Sequence, residues 1–529
     1  MLRPFRRVFQ LLFFIAFLVL ILLTEGRYDA LIDKFVIRYP VSVILKIDPL
    51  IMFSAGLATW QLPPAFISSV VLLTFTLFFG RFFCGWACPL GSLIDFAERR
   101  LFRKGMIRKK PLAVGYRRIK YLILLFILIT AVFGVQTAGY FDPLAIITRF
   151  FITAILPAFL AIVNLILGIF NSVLNFTFKG KILLAQTIFL RDAYNSFIFN
   201  FENSLFSLEM TSYSTSAIIL GFTVFIFGLS IFGHRFWCKN ICPLGALLGI
   251  CSEFSPLRRK IREDCDECAI CLTHCHAQVK NFNAVKDSYQ AKECIRCFEC
   301  VNICRKKKMF FGLSMPPGIL RRSNFLPSRR QFLLTAAGSG LFVGYMRSVK
   351  WIPNSKFLIR PPGADREERF INKCIRCGQC MKVCPTKVIQ PSFLESGLVG
   401  FWTPRLNYQV GYCDDVCTRC GQVCPTGAIK DLTKEQRRLS KIGTAFFDKD
   451  HCLPWYKNEN CIKCEEHCPV ADKAISYTEV EVITEEKETK IVKRPYVNEE
   501  ACIGCGICEY KCPVTGGPGI VVTNYKEKR

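Results

Sequence analysis

The sequence predicts a two-part molecule, an α-helical membrane domain with an internal two-fold repeat followed by two cysteine-rich α+β modules. Three observations carry that prediction. Hydrophobic residues fill 51% of the 529 positions, with 48 Phe, more than a water-soluble chain usually holds. Of the 29 cysteines, four precede residue 250 and 25 follow it, so the apolar and the cysteine-rich parts are separate regions. The later cysteines crowd three into seven residues again and again, and disulfide geometry cannot serve such runs without severe strain.

The first element is residues 8–24, which follow the basic start MLRPFRR. No small-residue cleavage site follows, so the segment reads as a retained helix with its N-terminus in the cytoplasm. Further apolar stretches at 65–80, 119–138 and 216–232 approach the ~20 residues needed to cross a ~30 Å hydrocarbon core. A repeat organises them. Asp48-Pro49-Leu50 leads to RFFCGWACPLGSL, and Asp142-Pro143-Leu144 leads to HRFWCKNICPLGAL, with 36 residues from Asp48 to Cys84 and 96 from Asp142 to Cys238. The second copy is therefore longer by 60 residues, roughly 150–215. Two crossings per copy give both copies the same sense, related by an axis along the membrane normal. Both cysteine pairs then lie on one side, and the basic stretches Arg99 to Lys120 and Arg258 to Lys260 make that side cytoplasmic.

The net charge of +28 invites a nucleic-acid reading, but the basic residues cluster beside apolar runs, as cytoplasmic flanks of membrane segments do. No nucleic-acid partner is expected.

After Cys242 the chain turns hydrophilic. Cys265, Cys268, Cys271, Cys275 and Cys294, Cys297, Cys300, Cys304 share the spacing C-x2-C-x2-C-x3-C, in which three thiolates wrap one [4Fe-4S] cubane and the fourth reaches a neighbour. Cys304 is therefore expected with the first triplet and Cys275 with the second. Four further sets follow: Cys374, Cys377, Cys380, Cys384; Cys413, Cys417, Cys420, Cys424; Cys452, Cys461, Cys464, Cys468; and Cys502, Cys505, Cys508, Cys512. In all four the last cysteine precedes Pro. Zinc motifs separate their two Cys pairs by a dozen or more residues, which these runs do not. Six [4Fe-4S] clusters are expected, in two ferredoxin-like α+β iron-sulfur modules of two and four clusters. With four thiolates each cluster carries about −2, so six offset about twelve positive charges. The expected domains are 1–250, 251–310, 311–360 and 361–529.

Cys84, Cys88, Cys238 and Cys242 form two C-x3-C-Pro pairs at helix ends. Spacing of four puts both sulfurs of a pair on one helical face, and the repeat can bring the faces together as a further thiolate-bound iron-sulfur centre; redox-active thiols or a helix-end motif are the alternatives. Cys251 stands alone and reads as a core residue. Five histidines, with only His234 near an apolar segment, make a bis-histidine haem improbable, and C-x-x-C-H is absent. No strand-bound G-x-G-x-x-G or P-loop occurs.

This order of motifs resembles the ferredoxin subunits NapH and NapG of periplasmic nitrate reductase systems, fused. Two C-x3-C-Pro motifs followed by two ferredoxin runs resemble NapH; a twin-arginine segment followed by four cluster motifs resembles NapG. The resemblance implies oxidation of a membrane quinol and delivery of electrons to a periplasmic reductase or cytochrome, by an electron-transfer protein of anaerobic respiration in the inner (cytoplasmic) membrane. The chain is then either a quinol dehydrogenase or a wiring or assembly subunit of a larger respiratory complex without a quinone site. The resemblance also implies a pairing in the last domain: Cys374, Cys377, Cys380 with Cys512; Cys502, Cys505, Cys508 with Cys384; Cys413, Cys417, Cys420 with Cys468; and Cys452, Cys461, Cys464 with Cys424.

Ser328-Arg329-Arg330-Gln331-Phe332-Leu333-Leu334 resembles a twin-arginine export signal, which places 251–310 in the cytoplasm and 361–529 in the periplasm. The apolar stretch 331–346 is expected to stay as a fifth helix, short at about 24 Å. Its small residues Ala336 to Gly340 suit close packing. Quinol oxidation also needs a proton acceptor near hydrocarbon. Asp48 and Asp142 recur on the predicted outer side, with Arg149 just beyond; Asp142 is the favoured base, while Asp before Pro also reads as a helix N-cap.

Overall fold

The computed structural model describes residues 2–24, 40–63, 65–100, 114–174, 177–178, 181–182, 196, 213–265, 268, 270–277, 292–314, 327–348, 355–483 and 489–528. Most of the insert beyond 174 and the linker 315–326 lie outside them. The apolar segments form helices of two lengths. Leu2–Leu23 and the run Pro143–Ile169, continuous through a π turn at Phe151–Ile155, are long and apolar enough to cross a membrane. The run Pro143–Ile169 begins at the second Asp-Pro and takes up much of the insert's apolar stretch. Phe66–Phe79 and the segment Phe82–Arg100 reach that length only together, and a 91° bend at Gly80 separates them. The expected crossing at 119–138 is shorter than its hydropathy suggested, because the helix Ile119–Val132 stops before the turn at Gly134 (φ 80°).

Four helical segments start on proline: Pro49–Thr59 and Pro143–Phe150, the latter opening the long run, after aspartates, and Pro89–Arg100 and Pro243–Ser252 after cysteines. Pro fits the first helical position because its missing N–H would be unpaired there anyway. Pro89–Arg100 packs on Pro143–Phe150, and Pro243–Ser252 on Pro49–Thr59. These segments meet around one apolar core that includes Leu50, Leu90, Ile94, Ile146, Ile147 and Leu244.

The helix Arg329–Ser348 packs along Ile119–Val132, with Phe342 edge-on to Phe126 at 5.2 Å. Of the small residues expected to pack, Ser339 is buried, with Val343 one turn on, whereas a Cβ added at Gly338 or Gly340 would meet nothing.

Strands Leu257–Ile261 and Met309–Leu313 pair antiparallel and close the first module around its eight cysteines. The C-terminal domain is built of two-stranded ladders and helices of four to seven residues. Little chain there is regular enough to fold on packing alone, which is the character of a domain tied together by its cofactors.

Candidate iron-sulfur sites and their docking

In the first module Cys275 stands with Cys294, Cys297 and Cys300, and Cys304 with Cys265, Cys268 and Cys271. In the last domain the grouping differs from the expected one. Cys424 joins Cys374, Cys377 and Cys380; Cys384 joins Cys413, Cys417 and Cys420. Cys512 likewise joins Cys452 and Cys461, and Cys468 joins the Cys502 set. The reason is packing. The motif helix Gln379–Val383 lies on Arg419–Gln422, and Lys463–Glu466 on Ile507–Tyr510, so the first and second motifs exchange their fourth cysteines, as do the third and fourth, instead of the first with the fourth and the second with the third.

These groups fit [4Fe-4S] clusters in donor chemistry. None of the cysteines is in a disulfide. Among the described residues no three His, Cys, Asp or Glu side chains converge on a single ion; in a cubane each thiolate binds its own iron. Burial pushes the Cys377, Cys464 and Cys505 thiols up to about 12, and neighbouring cysteines add to it. A thiolate there needs positive charge beside it, which iron supplies. Sulfurs also accept hydrogen bonds: from Gly519 N to Cys512 Sγ at 3.2 Å, and from the fully buried Arg437 Nη2 to Cys413 Sγ at 3.3 Å. Such donors stabilise the more negative, reduced cluster. Arg437→Gln is therefore expected to lower the midpoint potential of one C-terminal cluster by tens of millivolts, where ~59 mV is tenfold for one electron. An EPR-monitored titration reads it, and an unchanged set of potentials would remove Arg437 from the site.

The two C-x3-C-Pro pairs meet in the helical domain. Cys84, Cys88, Cys238 and Cys242 lie close enough for each to act electrostatically on the others, and Cys242 caps its half-helix by accepting from Gly245 N at 3.2 Å. Two buried arginines cross between the two C-x3-C-Pro segments. Arg235 donates to Cys84 O and, through two nitrogens, to Asp95 at 2.6 Å, and it lies against Gly91; Arg81 lies against Gly245 and beside Cys84 and Cys242. Their charge suits a centre that is negative overall.

Asp48 and Asp142 are both N-caps. Asp48 Oδ1 accepts from Leu50 N (2.8 Å), and Asp142 Oδ2 from Ala145 N (2.8 Å). Both are wholly buried, and their carboxyls are in contact with each other.

One tetrapeptide docks both modules. Cys294-Ile295-Arg296-Cys297 and Cys374-Ile375-Arg376-Cys377 each turn through a left-handed arginine, at φ 53° and 59°. Ile295 O sits where a Cβ on Gly85 would be, and Ile375 O where a Cβ on Gly139 would be. Trp86 Nε1 donates to Arg296 O at 2.9 Å, and Arg149 Nη1 to Arg376 O at 3.2 Å. Arg376 Nη1 in turn donates to Gln136 O at 2.8 Å. Arg149 also lies 4.1 Å over the Trp402 ring, and Arg376 4.4 Å over Tyr140. Arg296, Arg376, both glycines and the ion pair of Lys120 with Glu293 (2.7 Å) were not singled out from sequence, whereas Arg149 was noted only as a neighbour of Asp142. The recurring Cys-Ile-Arg-Cys was the available signal. The two dockings occur at opposite ends of Ile119–Val132: Lys120 is in its first turn, and Gln136 follows its last.

A 4Fe-4S binding domain model matches residues 61–110, 215–262 and 420–442; a 4Fe-4S dicluster domain model matches 373–428, and another 4Fe-4S binding domain model 495–514. The dicluster match spans the two motifs that share Cys384 and Cys424. The chain is 33% identical to the methylamine utilization ferredoxin-type protein MauM of Methylorubrum extorquens over 196 residues, 35% of this chain and 84% of that protein. It is 34% identical to the ferredoxin-type protein NapG of Escherichia coli over 162 residues, 29% of this chain and 65% of that one. An uncharacterized protein of Methanocaldococcus jannaschii is 25% identical over 307 residues, 58% of this chain and 94% of that protein. The chain spans 64% and 65% of the MauM of Methylobacillus flagellatus and the E. coli NapG. No solved structure matches it.

Proposed function

The chain belongs to the NapG/MauM family of ferredoxin-type proteins, and from that premise we propose that it is a membrane-embedded iron-sulfur wire passing electrons between the quinone pool and a redox partner across the bilayer. One observation carries the reading: two cysteine-rich modules dock at opposite ends of one apolar helical domain, which holds a four-thiol group beside the first module. The basic flanks support a cytoplasmic 251–310, and docking at the opposite end supports a periplasmic 361–529. In this reading six [4Fe-4S] clusters occupy the two modules, and a seventh centre is held by Cys84, Cys88, Cys238 and Cys242 in a domain of two-fold repeated halves. The crossed arginines and the recurring family match at 61–110 and 215–262 support that repeat. The clusters supply one-electron transfer; the protein holds them in line, keeps water from them and sets their charge environment. Asp48 and Asp142, with no exposed oxygen, serve as caps that join the halves.

The test is iron content and a redox titration on the full chain in nanodiscs. The wild type is expected to hold about four more irons per chain than Cys238→Ser/Cys242→Ser, at about four irons per cluster. The double variant is expected to keep all module signals yet stop electrons from crossing. Equal iron content in the two proteins would leave the four thiols without a cluster and overturn the seventh centre.

A further inference from the structure

A cavity of about 540 Å³ opens beside Cys275, one of the first module's cluster ligands. It is lined by Arg6, Glu98, Arg99, His234 and His276 among others, and it shares Arg7 and Arg99 with a second cavity of about 540 Å³. The second is a groove between the helices Leu2–Leu23 and Pro89–Arg100, with Gln10, Leu11, Phe14, Leu93 and Phe96 along it. Leu11 and Phe96 are each 56% exposed on the apolar surface. A charged chamber next to a cluster ligand thus shares a wall, Arg7 and Arg99, with a groove that is apolar at Leu11, Phe14, Leu93 and Phe96 and basic at Arg7, Arg99 and Arg100, and that opens where lipid would lie.

That combination has a chemical reading. A lipid-soluble carrier of electrons and protons needs a tail channel open to hydrocarbon, hydrogen-bonding groups around a small redox-active ring, and an electron acceptor at the wall. We propose that this pair of cavities is the quinol site, with the ring beside Cys275 and the isoprenoid tail between the two helices; the proposal rests on the electron-wire reading above. His234 is the proton acceptor. Its Nδ1 is held by Glu98 Oε2 at 3.2 Å, while Glu98 Oε1 is fixed by Arg235 N at 2.6 Å, which leaves Nε2 for the quinol hydroxyl. His234 is partly exposed, so a proton taken there can pass on to water. The balance is one quinol to one quinone, two protons and two electrons. The protons leave one after the other through His234. Cys275, Cys294, Cys297 and Cys300 would hold the cluster that takes one electron, and Cys265, Cys268, Cys271 and Cys304 the cluster that takes the other. Both protons are released at the end of the helical domain that carries the thiols, opposite the end where Asp142 lies.

The test uses the full chain in nanodiscs and two probes, a naphthoquinol with a short isoprenoid tail and tail-less 2-methylnaphthoquinol, with cluster bleaching as the readout. Leu11→Trp fills the groove from its exposed side and is expected to raise the half-saturating concentration of the tailed quinol at least tenfold while leaving that of the tail-less one in place. His234→Gln is expected to slow the maximal rate at least tenfold with both probes, with dithionite reduction intact. If wild-type clusters are reduced by quinol and both variants behave as wild type, the site is overturned while the wire reading stands. If no quinol reduces the wild type, the wire reading itself fails. Slowing by Asp142→Asn without slowing by His234→Gln would move the site to the other end and overturn this one. Changed binding of cardiolipin vesicles in Leu11→Trp, with quinol kinetics unchanged, would make the groove a phospholipid seat and equally overturn it.

Discussion

Gly139→Ala is expected to undock the C-terminal domain from the helical domain while leaving its clusters intact. The added methyl group falls on the carbonyl oxygen of Ile375, which is backbone and cannot rotate away. Overpacking of this kind costs about 1–3 kcal/mol, a roughly 5- to 150-fold loss of the docked form if the whole cost falls on docking. The hydrogen bonds of Arg149 to Arg376 O and of Arg376 to Gln136 O depend on the same approach and should loosen with it. The measurement is the rate at which C-terminal clusters are reduced through the helical domain, set against their direct reduction by dithionite, which should not change. Gly338→Ala, placed where nothing lies within 4 Å, is the matched control. Equal rates in Gly139→Ala and the control would show that the tetrapeptide is not the docking element.

Glu293→Gln is expected to give a still larger effect at the other module. The carboxylate is 2% exposed and meets Lys120 Nζ at 2.7 Å, Tyr121 Oη at 3.1 Å and Arg81 Nη1 at 3.9 Å. Neutralising it leaves two buried cations without their anion, a loss of about 3–5 kcal/mol when one partner of a buried pair is removed. The temperature at which first-module clusters bleach should fall accordingly, with the C-terminal clusters unaffected. Lys120→Met on top of Glu293→Gln should recover much of the loss, because the stranded charge goes with it. A double variant as unstable as the single one would show that Lys120 and Glu293 are not coupled.

The cysteine sets were legible because ligand spacing in ferredoxin-like runs is a local property of the chain: three thiolates of each set lie close together in the sequence. The convergence of Cys84, Cys88, Cys238 and Cys242 was legible through the repeat. The fourth ligands of the last domain were not, since Cys384, Cys424, Cys468 and Cys512 sit at the same offset in their motifs and only helix packing decides where each one reaches. Hydropathy found the apolar runs but not their breaks. Pro49–Thr59 and Pro243–Ser252 are too short to cross, and their ends depend on what packs above them. The docking glycines were unreadable for a related reason, because Gly85 and Gly139 acquire meaning only from carbonyls more than 200 residues away.

The helix Ile119–Val132 is pinned at both ends, by Glu293 on Lys120 and by Arg376 on Gln136 O. Its 14 residues measure about 21 Å at 1.5 Å each. That is less than the ~30 Å of hydrocarbon in a bilayer. The protein therefore acts as a strut that fixes the spacing of the two modules independently of the lipid. If it sits in a bilayer as proposed, the longer helices Leu2–Leu23 and Pro143–Ile169 can meet the full hydrocarbon thickness, and any mismatch there costs fractions of a kcal/mol per ångström. A membrane of different thickness would then change the strain at the rim of the protein but not the span that electrons have to cover.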